Sequence, residues 1–571
     1  MTDPRTHRET PDFYGAYPRL SQPQIDALAG GGQRRRVATG DVLFREGDEG
    51  YDFFVVLTGM VANVEDYGVD QHVISVHGPG RFVGELSVLT GQPAFFTAVV
   101  VESGEILAVP VDHLREVVSA DLALGDLLLR AFLLRRSMLI GRGAGFRIVG
   151  SCFSPDTRRL RDFAVRNRLP HRFVDLERDP EAETMLRRLG VAPSETPVVI
   201  WRGREVMRNP DDAALARLIG VRAVGHGGSL SDFVIIGAGP AGLAAAVYAS
   251  SEGIATDLLD AVATGGQAGT SPRIENYLGF PSGISGSDLA ERAIIQARKF
   301  GTALRIPAGA TALEGHPGHH TVRLEDGSSI TARTVLIATG ARYRTLGLPR
   351  IEEFEGTGIY YAATQQEAHW CRNDPVAVVG GGNSAAQAAL LLADTARCVH
   401  LIIRGGSLVA HMSRYLADRI ERTPSIETHL RTEVRELIGD RTLEAILVEH
   451  VKSGERQCLD VRALFVFIGA APHTGWLTDQ VALDSHGFIV TGAESPASRS
   501  FVDQTGRSPF LLETSRPGVF AAGDVRSGSI KRVAAAVGEG AMAVRFVHEQ
   551  LGWGGPSVPD EPSQTTGGSH A

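Results

Sequence analysis

DFVIIGAGPAGLAAAVYA, residues 232–249, decides how this chain is read. An apolar run breaks into three glycines, Gly237, Gly239 and Gly242, and continues into small residues. The pattern sets a buried parallel strand before a turn where a pyrophosphate can approach the N-terminus of the next helix. Asp260 closes the following run, ATDLLD, at the spacing of a carboxylate that meets an adenosine ribose. PVAVVGGGNSAAQAALLLA, residues 375–393, repeats the outline with Gly380 and Gly382. Two such turns specify a protein that holds two dinucleotides.

The chain has 571 residues, 43% of them hydrophobic, enough for three or four domains that each have a core. Lys and Arg number 57 against 66 Asp and Glu, a net charge of −9, so nucleic acid is not an expected partner. No run approaches a membrane span, and the polar start MTDPRTHRETPDFYG does not read as a signal peptide; the expected location is cytoplasmic. The four cysteines, Cys152, Cys371, Cys398 and Cys458, form no CxxC pair and show no metal-ligand spacing, so neither a disulfide scaffold nor a metal is expected.

Residues 18–140 alternate apolar and polar positions in short runs (DVLF, YDFFVVLTGMVANV, HVISV, FTAVVVESGEILAVP) between glycine turns. They read as a β-barrel or jelly roll closed by one or two helices in VDHLREVVSADLALGDLLLRAFLLRRSML. GDVLFREGDEGYDFFVVLTG and RFVGELSVLTGQPAFFTAVV make this region resemble a cyclic-nucleotide-binding domain. That resemblance implies Gly84 and Glu85 as contacts of a cyclic nucleotide, with the glutamate on the ribose hydroxyl. The family's phosphate arginine would fall at Ala94, ahead of Phe95 and Phe96, so the charge-assisted fork to phosphate is lost. Arg81 is a nearby alternative cation. Cyclic-nucleotide binding and a degenerate barrel used for regulation or assembly are both open readings.

Residues 145–221 run strand, helix, strand, helix, strand and helix, an order that resembles a thioredoxin- or glutaredoxin-like domain. Thr196-Pro197 stands where that family keeps a cis-proline. In GSCFSPD, however, Cys152 has Pro155 three residues on, so no dithiol can form. Cys152 reads as an incidental cysteine or a lone thiolate near a helix start, and the module as a docking or spacer domain.

After the flexible joint RAVGHGGSLS, the remaining chain divides into residues 231–345 and 472–551, interrupted by 346–471, with a disordered tail at 552–571. The expected fold is therefore multi-domain: β jelly roll, then thioredoxin-like α/β, then two interleaved α/β Rossmann-type domains. GAGPAG, GGQ (265–267), IENYLGFP (274–281), ATG (338–340), GGGNSA and FAAGDV (520–525) follow in the order that resembles the low-molecular-weight thioredoxin reductases. The resemblance implies FAD surrounded by Gly237, Gly239, Pro240, Ala241, Gly242, Asp260, Gly266, Gln267, Asn276, Gly340, Gly523 and Asp524. It implies a reduced nicotinamide nucleotide at Gly380, Gly382, Asn383, Ser384 and Arg404, a homodimer, and a hinge near Arg342–Leu346 and Ala470–His473.

One departure matters most. That family carries a redox CxxC before the second turn, but GTGIYYAATQQEAHWCRNDPVAVVGGG has Ala362 and Gln365 in place of the sulfurs, and Cys371 reads as structural. No catalytic residue is evident. Of the family's HRRxxxR pattern for the 2′-phosphate only Arg404 survives; with no acidic residue beside it, NADPH is favoured, with NADH as the alternative. The expected function is an FAD-dependent NAD(P)H oxidoreductase that passes a hydride to FAD and on to an external acceptor: a ferredoxin-like carrier, a disulfide protein or dioxygen. The alternatives are a thioredoxin-disulfide reductase working through external cysteines, and a regulatory flavin or cyclic-nucleotide sensor with incidental turnover.

Overall fold

The computed structural model describes residues 8–552 except 66–70, 86–92, 143–144, 180–181, 202–204, 220–229, 272–273, 275, 317, 356–357, 362, 364–367, 369–370, 441, 478 and 496–497. Ala362 and Gln365 therefore lie outside the described residues, as does the tail from residue 553.

The N-terminal region is a six-stranded antiparallel sheet whose two 13-residue strands, Phe53–Glu65 and Thr97–Val109, pair along their length. Gln33–Val37 and His72–His77 flank them. Alternation in these strands turns Phe54, Val56, Val61 and Val100 inward, where they meet Phe95 and Phe132 in a shared core. The helices Val111–Ala120 and Leu122–Arg142 follow.

A second, four-stranded sheet holds Phe146–Gly150 at its centre, parallel to His171–Asp175 and antiparallel to Val198–Trp201, with Glu205–Arg208 at the edge. The helix Pro155–Arg166 begins at a Ser154 cap, and the Thr196-Pro197 peptide is cis. Phe95 of the N-terminal region meets Trp201 of this sheet edge to face at 5.8 Å, so the two cores are continuous.

The first parallel sheet runs Ala303–Arg305, Thr256–Leu259, Ser231–Ile236, Ser329–Ile337, and adds Val519–Ala521 beyond it in the same direction. Phe233–Ile236 and Val335–Ile337 are buried on both faces, which is why these runs carry no alternation. The last strand comes from far along the chain, so the sheet is completed only after the chain has built a second one. That second sheet orders five parallel strands as Ile359–Tyr360, Ala463–Val466, Pro375–Val379, Cys398–Ile403 and Ile426–Leu430. An antiparallel meander, Thr432–Gly439, Leu443–His450 and Arg456–Asp460, packs on it through Val434, Leu437, Ile446 and Leu459. Two short strands, Ala341–Tyr343 and Ala470–Pro472, pair where the chain enters and leaves the second sheet. Among the described residues, no helix is long and apolar enough to cross a membrane.

Candidate functional site

The first turn leaves Ser231–Ile236 and enters the helix Pro240–Ser251, with proline at its first position and Gly239 as its cap. Gly237 has φ +108°, and a Cβ there would lie 2.3 Å from the Ala338 carbonyl oxygen. A Cβ on Gly242 would lie 1.9 Å from the Gly237 carbonyl oxygen. The Gly265–Gly266 loop comes in from another direction: a Cβ on Gly266 would stand 3.0 Å from the Gly239 Cα. Gly523 closes from a third side against Ala241, and the helix Val533–Leu551 presses so closely there that a Cβ on Gly540 would meet the Ala241 carbonyl oxygen at 2.1 Å. Gly239 itself faces space, with no atom nearer than 3.9 Å to its missing Cβ. Three glycine segments thus form a cradle around one helix N-terminus, the geometry that a pyrophosphate requires.

Asp260 sits below this turn. It accepts hydrogen bonds from the backbone N–H of Ala238 (2.8 Å), Val262 (2.9 Å) and Ala263 (3.0 Å), while burial pushes its carboxyl up. Its visible task is to hold the turn. Asp524 differs. Burial raises its carboxyl too, against the pull of Lys531, and its side chain receives no hydrogen bond among the described residues. Tyr343 faces it, its hydroxyl pushed up first by burial and then by the Asp524 charge. Tyr343 also stacks on Tyr361, the residue before Ala362, with centroids 5.6 Å apart. Sequence reasoning did not single out Tyr343, since nothing local marks it. Gln267 follows Gly266 in the cradle loop, Asn276 is exposed further along the same segment, and Gly340 accepts from His473 N–H at 3.1 Å where the two crossing strands pair.

At the second turn Gly380 has φ +145° and would press a Cβ against the Phe467 carbonyl oxygen at 2.4 Å, while Gly382 caps the helix Asn383–Ala393 in open surroundings. Asn383 accepts from Ser413 N–H at 2.7 Å, and Ser384 is exposed beside it. Arg404 is exposed at the end of Cys398–Ile403. Arg431 joins it from the neighbouring strand: its N–H donates to Gly405 at 2.9 Å, and its guanidinium lies against Gly406. No sequence signal pointed to Arg431, because it is brought in by strand pairing.

In the barrel, Glu85 is buried and ion-paired with Arg135 at 2.8 Å. Arg135 also donates to the Ala16 carbonyl and lies over the rings of Tyr17 and Phe82. Arg81 is tied to Glu9 at 3.1 Å. Ala94 is buried and bonded only through its backbone, to Gly47 and Asp48. The pocket between these groups is walled by Phe95, Phe96 and Phe132, and two polar atoms, Arg135 Nη2 and Asn63 Oδ1, stand in it without a hydrogen-bond partner among the described residues. The adjacent Arg136 pairs with Glu291 of the helix Gly286–Lys299 at 3.2 Å. Glu291 also pairs with Arg168 at 3.2 Å, and Arg168 with Asp288 at 2.5 Å. That helix packs Ala290 against the Gly265 backbone of the first cradle.

In the middle module Cys152 N–H donates to Asp175 at 3.3 Å, and the thiol is pushed up by desolvation and then by Asp175, so no thiolate is stabilised there. Cys371 is buried, and the four cysteines form no disulfide.

A cradle for one dinucleotide, a second turn on an inserted sheet, and a paired hinge between them define a two-dinucleotide oxidoreductase. Residues 231–540 match the model of the pyridine nucleotide-disulphide oxidoreductases, and the chain belongs to that family. It is an FAD-dependent NAD(P)H oxidoreductase of the thioredoxin-reductase type. Residues 34–121 match the cyclic nucleotide-binding domain. The thioredoxin reductase of Treponema pallidum is 35% identical over 312 residues, which cover 55% of this chain and 94% of that protein. The NADPH-dependent thioredoxin reductase 3 of Arabidopsis thaliana is 34% identical over 56% of this chain and 58% of its own length. The thioredoxin reductase structure from Streptococcus pyogenes MGAS5005 covers 57% of this chain and 99% of its own at 31% identity, with a TM-score of 0.49.

Proposed function

We propose that this enzyme takes a hydride from NADPH onto FAD and delivers the electrons directly to an external acceptor, with no internal dithiol between. The observation that supports this reading most is the pairing of an intact flavin cradle with a chain that has no CxxC anywhere in its sequence. FAD, when bound, supplies the two-electron chemistry and can release electrons singly or in pairs. The protein's part is placement. Gly239, Pro240 and Ala241 present the helix N-terminus to the pyrophosphate, while Gly242 permits the close packing behind it. Asp260 fixes the turn, with any ribose contact drawing on the acceptor capacity that its three backbone donors leave. Asp524, whose carboxylate receives no hydrogen bond among the described residues, would accept from a flavin hydroxyl, and Tyr343 keeps its proton beside it. Gln267 and Asn276 line the loop side. Gly380, Gly382, Asn383 and Ser384 hold the nicotinamide nucleotide, whose 2′-phosphate lies within the field of Arg404 and Arg431. That pair of cations, with no carboxylate at the strand end, favours NADPH over NADH. The middle module, with its mixed sheet and cis-proline, is read as a thioredoxin-like docking domain. A homodimer is proposed from the family resemblance.

The test is an anaerobic titration of the purified protein with NADPH and then NADH, following flavin absorbance and free thiols together. Bleaching after one equivalent with no new thiol is expected. Consumption of two equivalents with thiols appearing would defeat the proposal.

A second reading is favoured by the Arg136–Glu291 pair: the barrel modulates the flavin site. With Glu85 occupied by Arg135 and Ala94 in the phosphate position, cyclic AMP and cyclic GMP are expected to give no binding heat at high micromolar concentration. Glu291→Gln removes the carboxylate from buried Arg136, leaving it the Arg168 carbonyl while Arg168 keeps Asp288, and is expected to cost about 3 kcal/mol of stability. Retention of wild-type melting and of wild-type NADPH oxidation in that variant would remove the case for coupling through this contact.

A further inference from the structure

At the outer edge of the second parallel sheet, away from both glycine turns, two neighbouring strands bring together a cysteine, two histidines and a glutamate. Cys398 and His400 lie two apart on Cys398–Ile403, and Glu427 and His429 two apart on Ile426–Leu430, so each pair projects to one face. The strands pair in parallel with His400 opposite Glu427. His400 Nδ1 lies 3.1 Å from His429 Nε2 and 3.2 Å from Glu427 Oε2. Cys398 Sγ lies 3.9 Å from His400 Nε2, and donor atoms of Cys398, His400 and Glu427 all fall within 4.8 Å of one another.

We propose that Cys398, His400, Glu427 and His429 form a site for a zinc-type divalent cation. Ligand bonds of about 2.0–2.1 Å in a tetrahedron put nitrogen and oxygen donors roughly 3.3 Å apart, close to the separations found here. The sulfur is nearest the other ring nitrogen of His400, so the half-buried Cys398 side chain has to turn for its sulfur to join the set. One thiolate and one carboxylate with two neutral imidazoles balance a charge of +2. A sulfur, nitrogen and oxygen set selects zinc or a similar borderline ion and disfavours calcium and magnesium, which need oxygen alone. A further carboxylate facing His400, Asp460, is held by Arg397 at 3.1 Å. The absence of metal-ligand spacing in the sequence does not bear on this set, because the ligands come from two strands separated by a helix and its loops. The ion would fasten the edge strand to its neighbour, two residues before Arg431.

The experiment uses the untagged, FAD-loaded full chain, reduced, freed of metal by chelation, and titrated with Co²⁺ as a spectroscopic stand-in for Zn²⁺. Ligand-field bands in the red, beyond the flavin absorbance, should saturate at one equivalent, and Zn²⁺ should displace them. Cys398→Ser and His400→Ala should each weaken binding at least tenfold, while the control Cys152→Ser, far from the set, should change nothing. Flavin content and NADPH oxidation report whether each variant is folded, and the milder His429→Gln gives a second reading should His400→Ala not fold. Failure of the wild type to bind Co²⁺ or Zn²⁺ at stoichiometric concentration would overturn the site. So would unchanged binding in the Cys398→Ser, His429→Gln double variant.

Discussion

The two glycine turns are alike at their first two positions and part at the third: a methyl group on Gly242 would sit 1.9 Å from the Gly237 carbonyl oxygen, whereas the second turn already carries Ala385 there. The first is closed over by two further segments and stiffened by the three hydrogen bonds to Asp260. The second is open, with Asn383, Ser384 and Arg404 exposed. On the proposed assignment, one sequence pattern serves two kinds of occupancy: a resident group built into the core, and a co-substrate that must arrive and leave within each turnover.

Gly242→Ala should break the first site outright. The obstructing atom is backbone, so the cost exceeds the roughly 1–3 kcal/mol of an ordinary overpacked position, and the flavin-to-protein absorbance ratio should fall to near zero. Asp260→Ala leaves three backbone donors without an acceptor at roughly 1–3 kcal/mol each, and should weaken flavin retention about a hundredfold by equilibrium dialysis. Gly382→Ala should fold and keep its flavin while raising KM for NADPH about tenfold, as the methyl occupies the phosphate approach. Loss of flavin in that variant would erase the distinction between the turns. Arg404→Ala should raise KM for NADPH about fivefold with NADH nearly unchanged, and Arg431→Ala about threefold, each a loss of roughly 1 kcal/mol or less from an exposed charge. An equal effect on both nucleotides would assign these cations to general docking.

The two turns were legible because strand, glycines and helix are consecutive, so their physics is local. The N-terminal strands and most of the middle module showed for the same reason, but the single last strand expected in that module is two antiparallel ones, Val198–Trp201 and Glu205–Arg208. What stayed hidden depends on distant partners. Glu85 reads as a ribose contact from its place after Gly84, and only the fold shows that Arg135, fifty residues on, pairs with it. Arg81 reads as a free cation until Glu9 is placed beside it. Asp260 was found as a candidate ribose ligand, but its three backbone donors become visible only in the folded turn. Tyr343 and Arg431 gain their positions from pairing across the hinge and across the second sheet.

The strands Ala341–Tyr343 and Ala470–Pro472 carry one last consequence. They are the two places where the chain crosses between the sheets, and they are hydrogen-bonded to each other, with Thr339 Oγ1 donating to the His473 carbonyl at 2.9 Å and Arg344 N–H to Gly469 at 3.0 Å. Two separate tethers would let the inserted domain swing, slide and tilt. Joined as a ribbon, the two crossings form one hydrogen-bonded connection, so breaking the pairing at either strand loosens both tethers of the inserted domain at once.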